Sequence, residues 1–230
     1  MSGFIEVSAY VGVTISLVSY FLGMLLKKKL KLAIFNPLLI SVVFTIAFLV
    51  VTDTSYTAYE SGAGFLSWLL TPATISLAIP LYEQLELLKK YRKAIALGIL
   101  TGVLTSLLCV LAICLLFGLS HTEYVTFLPK SVTSAIGMGI SEELGGYVSI
   151  TVAVIIITGI LGNMMSPFIL RTFHITEPIA KGIAIGTSSH AIGTAKAMEM
   201  GEVEGAFSSL SIVIAGLMTV VGANIFQSFI

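Results

Sequence analysis

Charge is what this sequence has least of. Only 10% of its 230 residues are Asp, Glu, Lys or Arg, where a soluble domain carries about a quarter. With 57% of residues hydrophobic and a mean hydropathy of +1.04, the shortage excludes a water-soluble globule and implies an all-α polytopic membrane protein. The twelve bases and twelve acids cancel, and no basic run is long or aromatic-interleaved enough to bind nucleic acid. Cysteine is scarce as well. Cys109 and Cys114 lie five residues apart on one apolar segment, about 8 Å between Cα atoms on a helix, too far for a disulfide, and are expected to be packing residues. No CxxC, HExxH or carboxylate cluster supports a metal centre. No Ser/His/Asp order or nucleotide-binding glycine loop supports an enzyme or a cofactor. The first 26 residues lack a basic leader and a small-x-small cleavage site, so they read as a retained span.

What is present is a series of apolar runs of spanning length, about 20 residues each. Residues 7–26 stop at Lys27-Lys28-Lys29-Leu30-Lys31, and residues 32–52 carry Asn36-Pro37 in their first turn, where a missing N–H is tolerated. Asp53 to Gly64 reads as an acidic loop. Residues 65–82 are interrupted by Pro72 and Pro80, and the basic stretch Glu83 to Lys93 leads to a clean span, residues 94–118. Residues 124–141 are too short and polar for a lipid-facing span and read as re-entrant. Residues 147–170, 182–197 and 206–230 complete the set: seven crossings plus one re-entrant segment.

Eight of the twelve bases fall in Lys27–Lys31 and Lys89–Lys93, while the loops at 53–61 and 118–123 have none. The positive-inside rule places both clusters in the cytoplasm and both loops outside. It puts the N-terminus outside, Glu199, Glu202 and Glu204 outside, and the C-terminus inside.

A register of 57 residues recurs. It relates Pro72 to Pro129, Ala78-Ile79-Pro80 to Ala135-Ile136-Gly137, and Leu100–Leu104 to Ile157–Leu161. A weaker echo links 188–193 to 214–217. The single domain 1–230 then divides into N-terminal spans (1–62) and three units (63–120, 121–177, 178–230), each a Ser/Thr-rich broken segment followed by a full helix. In the first two the helices run in opposite directions. Inverted repeats with broken helices are how secondary transporters build a midplane site; the competing reading is that small residues recur at any membrane helix interface.

The polar island Gly186–Glu199 concentrates candidate residues. His190 titrates near neutrality in water and lies within a span, where ionisable groups serve function, or else it is a neutral interhelical hydrogen-bonder. Thr187, Ser188 and Ser189 follow Gly186, where a restarting helix would offer N–H groups to an anion. Thr194 belongs to the same island. Lys196 either adds positive charge for the anion or pairs with Glu199. Thr133 and Ser134, and Thr74 and Ser76, hold the corresponding places in the other units. Glu142 and Glu143 are proton-carrier candidates, with His190, if desolvated; otherwise they are a solvated pair.

Leu128–Gly146 (LPKSVTSAIGMGISEELGG) and Ala180–Gly201 (AKGIAIGTSSHAIGTAKAMEMG) resemble the two signature stretches of the LrgB/CidB family, and Thr71–Tyr82 and Ile34–Leu38 resemble two further segments. The likeness covers nearly the whole chain. It implies a bacterial inner-membrane protein working with a small LrgA/CidA-type membrane partner, described as antiholin-like or holin-like and regulating murein hydrolase activity and lysis. Relatives include the plastid glycolate/glycerate transporter and pairs linked to pyruvate uptake. The expected function is a carrier for small monocarboxylates such as pyruvate, lactate, glycolate or glycerate; the alternative is a lysis regulator. A homodimer is the expected assembly.

Overall fold

A computed structural model describes residues 9–30, 35–76 and 78–230, and among them there is no strand. Residues 7, 8, 31–34 and 77, which enter the expected spans and the first basic cluster, lie outside the described residues. The chain separates into two compact units, Met1–Ser76 and Leu77–Ile230.

In the first unit α1 (Ala9–Leu30), α2 (Pro37–Val51), α3 (Tyr56–Trp68) and α4 (Leu70–Ser76) follow in order. Asn36 caps α2, its Oδ1 accepting from Leu38 N at 2.8 Å, with Pro37 at the first helical position. Gly12 lets α1 approach α3, since a Cβ there would stand 2.5 Å from the Ala63 amide nitrogen. The expected acidic loop at 53–64 is mostly helix. Ser55 accepts from Ala58 N and starts α3 at Tyr56, nine residues before the expected span.

The second unit holds α5 (Ala78–Glu83), α6 (Leu85–Phe117), α7 (His121–Phe127), α8 (Ser134–Glu143), α9 (Val148–Thr172), α10 (Pro178–Met200) and α11 (Glu202–Phe226). Helix α6 begins within the basic stretch, nine residues before the expected span at 94, kinks at Tyr91 and ends on Gly118 in the left-handed conformation. One stripe of α6, Ile95, Ile99, Val103, Leu107, Val110 and Cys114, is buried, while Leu97, Leu104 and Leu108 face outward. An apolar outer face is what lipid contact requires.

Among the described residues five stretches are long and apolar enough to cross a membrane: Tyr10–Leu30, Tyr56–Glu83, α6, α9 and Glu202–Phe229; Pro37–Val51 is shorter. Residues 182–197, expected to cross, do not. The α10 backbone breaks at His190, whose φ of 42° and ψ of −140° are non-helical, close to the first corner of a type II′ turn, where glycine is the usual residue. The halves on either side fold back on each other: a Cβ on Gly193 would lie 2.9 Å from Ile185 Cγ2, and Leu170 of α9 packs with both Ile185 and Ala197. Lys181 and Glu204 consequently form an ion pair at 3.6 Å. Twelve and ten helical residues reach about 18 and 15 Å, half the thickness of a bilayer core. Segment α10 is a helical hairpin, open at the end of the unit where α6 begins, α9 finishes and α11 begins (end A).

The expected re-entrant segment is a second hairpin, entered from the opposite end (end B). Thr126 lies beside Gly146 and Tyr147 at the start of α9, and the Tyr124 hydroxyl donates to the Phe226 carbonyl at the end of α11 at 3.0 Å. The turn between α7 and α8 reaches Ser106 of α6, its Ser131 Oγ 2.9 Å from Ser106 Oγ, and Ile136 meets Gly216 of α11. Counted along α6 and α9, both hairpin tips lie about 15 Å from end B. Residues 121–172 and 178–226 thus repeat one order, hairpin then long helix, in opposite directions.

This corrects the expected topology. Helix α11 runs parallel to α6, so the C-terminus shares end B with the 118–123 loop rather than lying across from it, and Glu204 shares end A with Lys181.

Candidate functional site

Helix α10 packs on α6, α9 and α11, and glycine makes each approach close. Gly182 and Gly186 sit one turn apart, as in a GxxxG interface; a Cβ on Gly182 would meet the Glu204 carbonyl oxygen at 2.5 Å, and one on Gly186 the Ser208 carbonyl oxygen. On the other side Gly159 and Gly162 of α9 open a slot for the hairpin tip. A Cβ on Gly159 would lie 2.8 Å from His190 Cε1, and one on Gly162 would collide with Ser189 Oγ.

The tip is therefore buried rather than open. His190 is 3% exposed, and its Nε2 is 3.0 Å from the Ile155 carbonyl oxygen. A carbonyl only accepts, so Nε2 carries the hydrogen. The Thr194 hydroxyl donates to the His190 carbonyl at 2.9 Å and lies 2.7 Å from Ser208 Oγ. Asn163 Nδ2 donates to the Ile192 carbonyl at 2.8 Å, so the break is hydrogen-bonded on both sides. The helix restarts after His190, not after Gly186 as the sequence suggested.

A cavity of about 1190 Å³ lies between α6 and the first half of α10. Its walls carry Thr101, Thr105, Ser106 and Cys109 of α6 and Thr187 and Ser188 of α10, Glu177 and Pro178 stand at end A, and Lys130 and Ser131 come from the tip of the opposing hairpin. The Lys130 ammonium donates to Ser131 Oγ at 3.0 Å, and Ser131 Oγ is in turn 2.9 Å from Ser106 Oγ. Among the described residues no carboxylate lies within ion-pair distance of Lys130.

Of the expected residues the cavity brings together only Thr187 and Ser188. Their hydroxyls donate backward, to the Ile183 and Ala184 carbonyls at 2.8 and 2.7 Å, and Ser188 Oγ also lies 3.0 Å from Ser189 Oγ, so what they offer a ligand is acceptor capacity. Ser189, His190 and Thr194 are buried outside its lining. Lys196 pairs with Glu199 at 2.7 Å. Thr133 caps α8 without a side-chain bond and Ser134 begins it, and neither lines the cavity. Glu142 and Glu143 are exposed at the end of α8, away from the cavity lining. Ser76, in the other unit, is exposed and donates to Ala73 O at 2.7 Å; the Thr74 side chain lies outside the described residues. Cys109, expected to pack, is exposed on the cavity wall, while Cys114 is buried, and both are free thiols. Among the described residues no group of three metal-ligating side chains occurs.

Lys130 was missed in sequence although the signal was present: a lone base between Pro129 and Ser131, inside a segment read as re-entrant, is an ionisable group at membrane depth.

Long apolar helices joined to broken hairpins define a multi-pass membrane protein. The chain belongs to the LrgB-like family, which matches residues 16–229. It is 39% identical over 222 residues to the antiholin-like protein LrgB of Bacillus cereus (strain B4264), covering 96% of both chains. The same identity and coverage hold for the antiholin-like protein LrgB of Bacillus anthracis (strain CDC 684 / NRRL 3495). No solved structure matches.

Proposed function

We propose that this protein is a secondary carrier for small monocarboxylates of the pyruvate, lactate, glycolate or glycerate type, working with an LrgA-type partner. The observation that carries this reading is the pair of hairpins entering from opposite ends, which put Lys130 and Ser131 of one tip and Thr187 and Ser188 of the other hairpin's first half on the wall of one cavity. Broken helices survive there only where protein or water satisfies the backbone, and inverted elements around such a site are the frame for alternating access. Residues 121–177 and 178–230 are the inverted units, with 63–120 a related first unit. The cavity reaches end A, where Lys89, Lys90, Arg92, Lys93, Arg171 and Lys181 gather; the positive-inside rule then makes end A cytoplasmic and the C-terminus external. His190 serves the tip as a hinge, and Thr187 and Ser188 contribute to substrate contact. Saturable uptake of radiolabelled pyruvate, lactate, glycolate or glycerate by proteoliposomes, with and without the LrgA-type partner, is the test. Uptake of none of them above empty liposomes refutes the reading.

A second reading is an antiholin-like regulator of murein hydrolase activity and lysis. The antiholin-like LrgB relatives, 39% identical over nearly the whole chain, favour it, and similarity supports it more directly than it supports transport. A lysis phenotype that survives in a variant unable to transport decides for this second reading.

A further inference from the structure

We propose that Lys130 is the anion-binding group of the cavity, holding one monovalent anion together with the hydroxyl pair Ser131–Ser106. This rests on the carrier reading above for its physiological purpose, but not for its chemistry.

Lys130 occupies the turn between α7 and α8, at the level of Ser106, about 15 Å along α6 from its end B terminus. It is half-buried on the cavity wall. One of its three N–H groups goes to Ser131 Oγ at 3.0 Å, and among the described residues the other two have no protein acceptor. A cation at membrane depth is stable when its charge is met by an anion or by water. The acids nearest in function do not meet it: Glu204 is held by Lys181 at 3.6 Å, Glu199 by Lys196 at 2.7 Å, and Glu177 stands at the end A mouth.

The hydroxyls around Lys130 divide into two kinds. Thr101, Thr187 and Ser188 donate to carbonyls of their own helices and present only acceptors. Thr105 has no hydrogen-bond partner among the described residues, and the Ser131–Ser106 pair has two hydroxyl hydrogens for one mutual bond. Donors thus gather near the ammonium, with acceptors along the α10 wall and at Thr101 of α6. One uncompensated positive charge with donors beside it suits a single negative charge. A dianion would be left with charge unpaired in a site whose remaining wall offers oxygen lone pairs.

Cys109, a free thiol on the same wall, reports the field of Lys130 directly. In full-length protein in nanodiscs, with Cys114 changed to Ser, Cys109 labelling is timed with two methanethiosulfonates, the ethylsulfonate anion and the ethyltrimethylammonium cation. The expected anion-to-cation rate ratio falls about tenfold in Lys130→Gln and is restored in Lys130→Arg, each variant first shown monodisperse by size exclusion. An equal ratio in wild type and Lys130→Gln overturns the proposal. Uptake of radiolabelled pyruvate separates the two readings. Full uptake by Lys130→Gln overturns the site and leaves the carrier; a Lys130-dependent ratio with no uptake by any protein supports the site and removes the carrier.

Discussion

Replacing Gly186 by Ala tests the packing on which the α10 hairpin depends. The added methyl would stand 2.8 Å from Ser211 Cβ and 2.9 Å from Ser208 Cα, and collide with the Ser208 carbonyl oxygen. Two of these three atoms are backbone, so no rotamer change relieves the contact; α10 and α11 must part by several tenths of an ångström. Overpacking of this kind costs about 1–3 kcal/mol, and contact with backbone puts it near 3. Alanine returns about 1 kcal/mol of helix propensity, leaving a net loss of about 2 kcal/mol. For a chain of this size that lowers the melting temperature by on the order of 5 °C. Gly139, inside α8 with nothing within 4 Å of its Cβ position, is the matched control: Gly139→Ala should be neutral or raise stability by up to about 1 kcal/mol. Unfolding is followed in detergent through a thiol-reactive dye on Cys114, which is 1% exposed, with Cys109 changed to Ser. Equal melting temperatures for the two alanine variants would refute the close α10–α11 approach.

Three other outcomes follow from the same geometry. With native cysteines removed, Lys181→Cys and Glu204→Cys should be bridged by a short thiol-to-thiol cross-linker of about 8–10 Å, since their native side-chain tips meet at 3.6 Å while a direct disulfide would need Cα atoms within about 7 Å; failure to cross-link in a folded protein, where a straight crossing would part the two positions by about 30 Å, refutes the hairpin. At position 190, His190→Gly should be more stable than His190→Ala by about 1 kcal/mol, since both lose the bond to the Ile155 carbonyl but only glycine adopts a φ of 42° without strain. At the start of α7, the Ser120 hydroxyl and backbone N–H donate to the Glu123 carboxylate at 2.7 and 2.8 Å and hold its pKa below the ordinary value. A depressed folded pKa contributes stability above the unfolded value, about 4.3, and loses it as pH falls through the folded pKa. Amide exchange in α7 should therefore accelerate, relative to the intrinsic rate, as pH drops below 4 in wild type and show no such step in Glu123→Gln.

Much of this architecture was legible in the residues. Apolar runs marked α1, α6, α9 and α11, because a lipid-facing helix must be apolar over about 20 residues. Asn36-Pro37 and the Ser120-x-x-Glu123 box carry their own start signals. The stretch 124–141 stood out as re-entrant for the same reason in reverse. Ser55 was passed over because two acids nearby suggested solvent, though its hydroxyl caps α3.

What hydropathy cannot decide is whether a moderately polar stretch goes through or turns back. Residues 178–200 have the length of a span, and their direction rests on one backbone angle at His190, held by the slot that Gly159 and Gly162 open in a helix thirty residues earlier. The same non-local packing sets which side chains face the cavity. Thr187 and Ser188 line it while Ser189 and His190, their immediate neighbours, are buried outside its lining, and Lys130 arrives at its wall from the opposite hairpin. Composition and local pattern determined that this chain lives in a membrane and which of its segments are too polar to be plain spans; only the close approach of helices far apart in sequence decided that two of those segments are hairpins entered from opposite ends, and that the turn of one carries a lysine to the cavity wall.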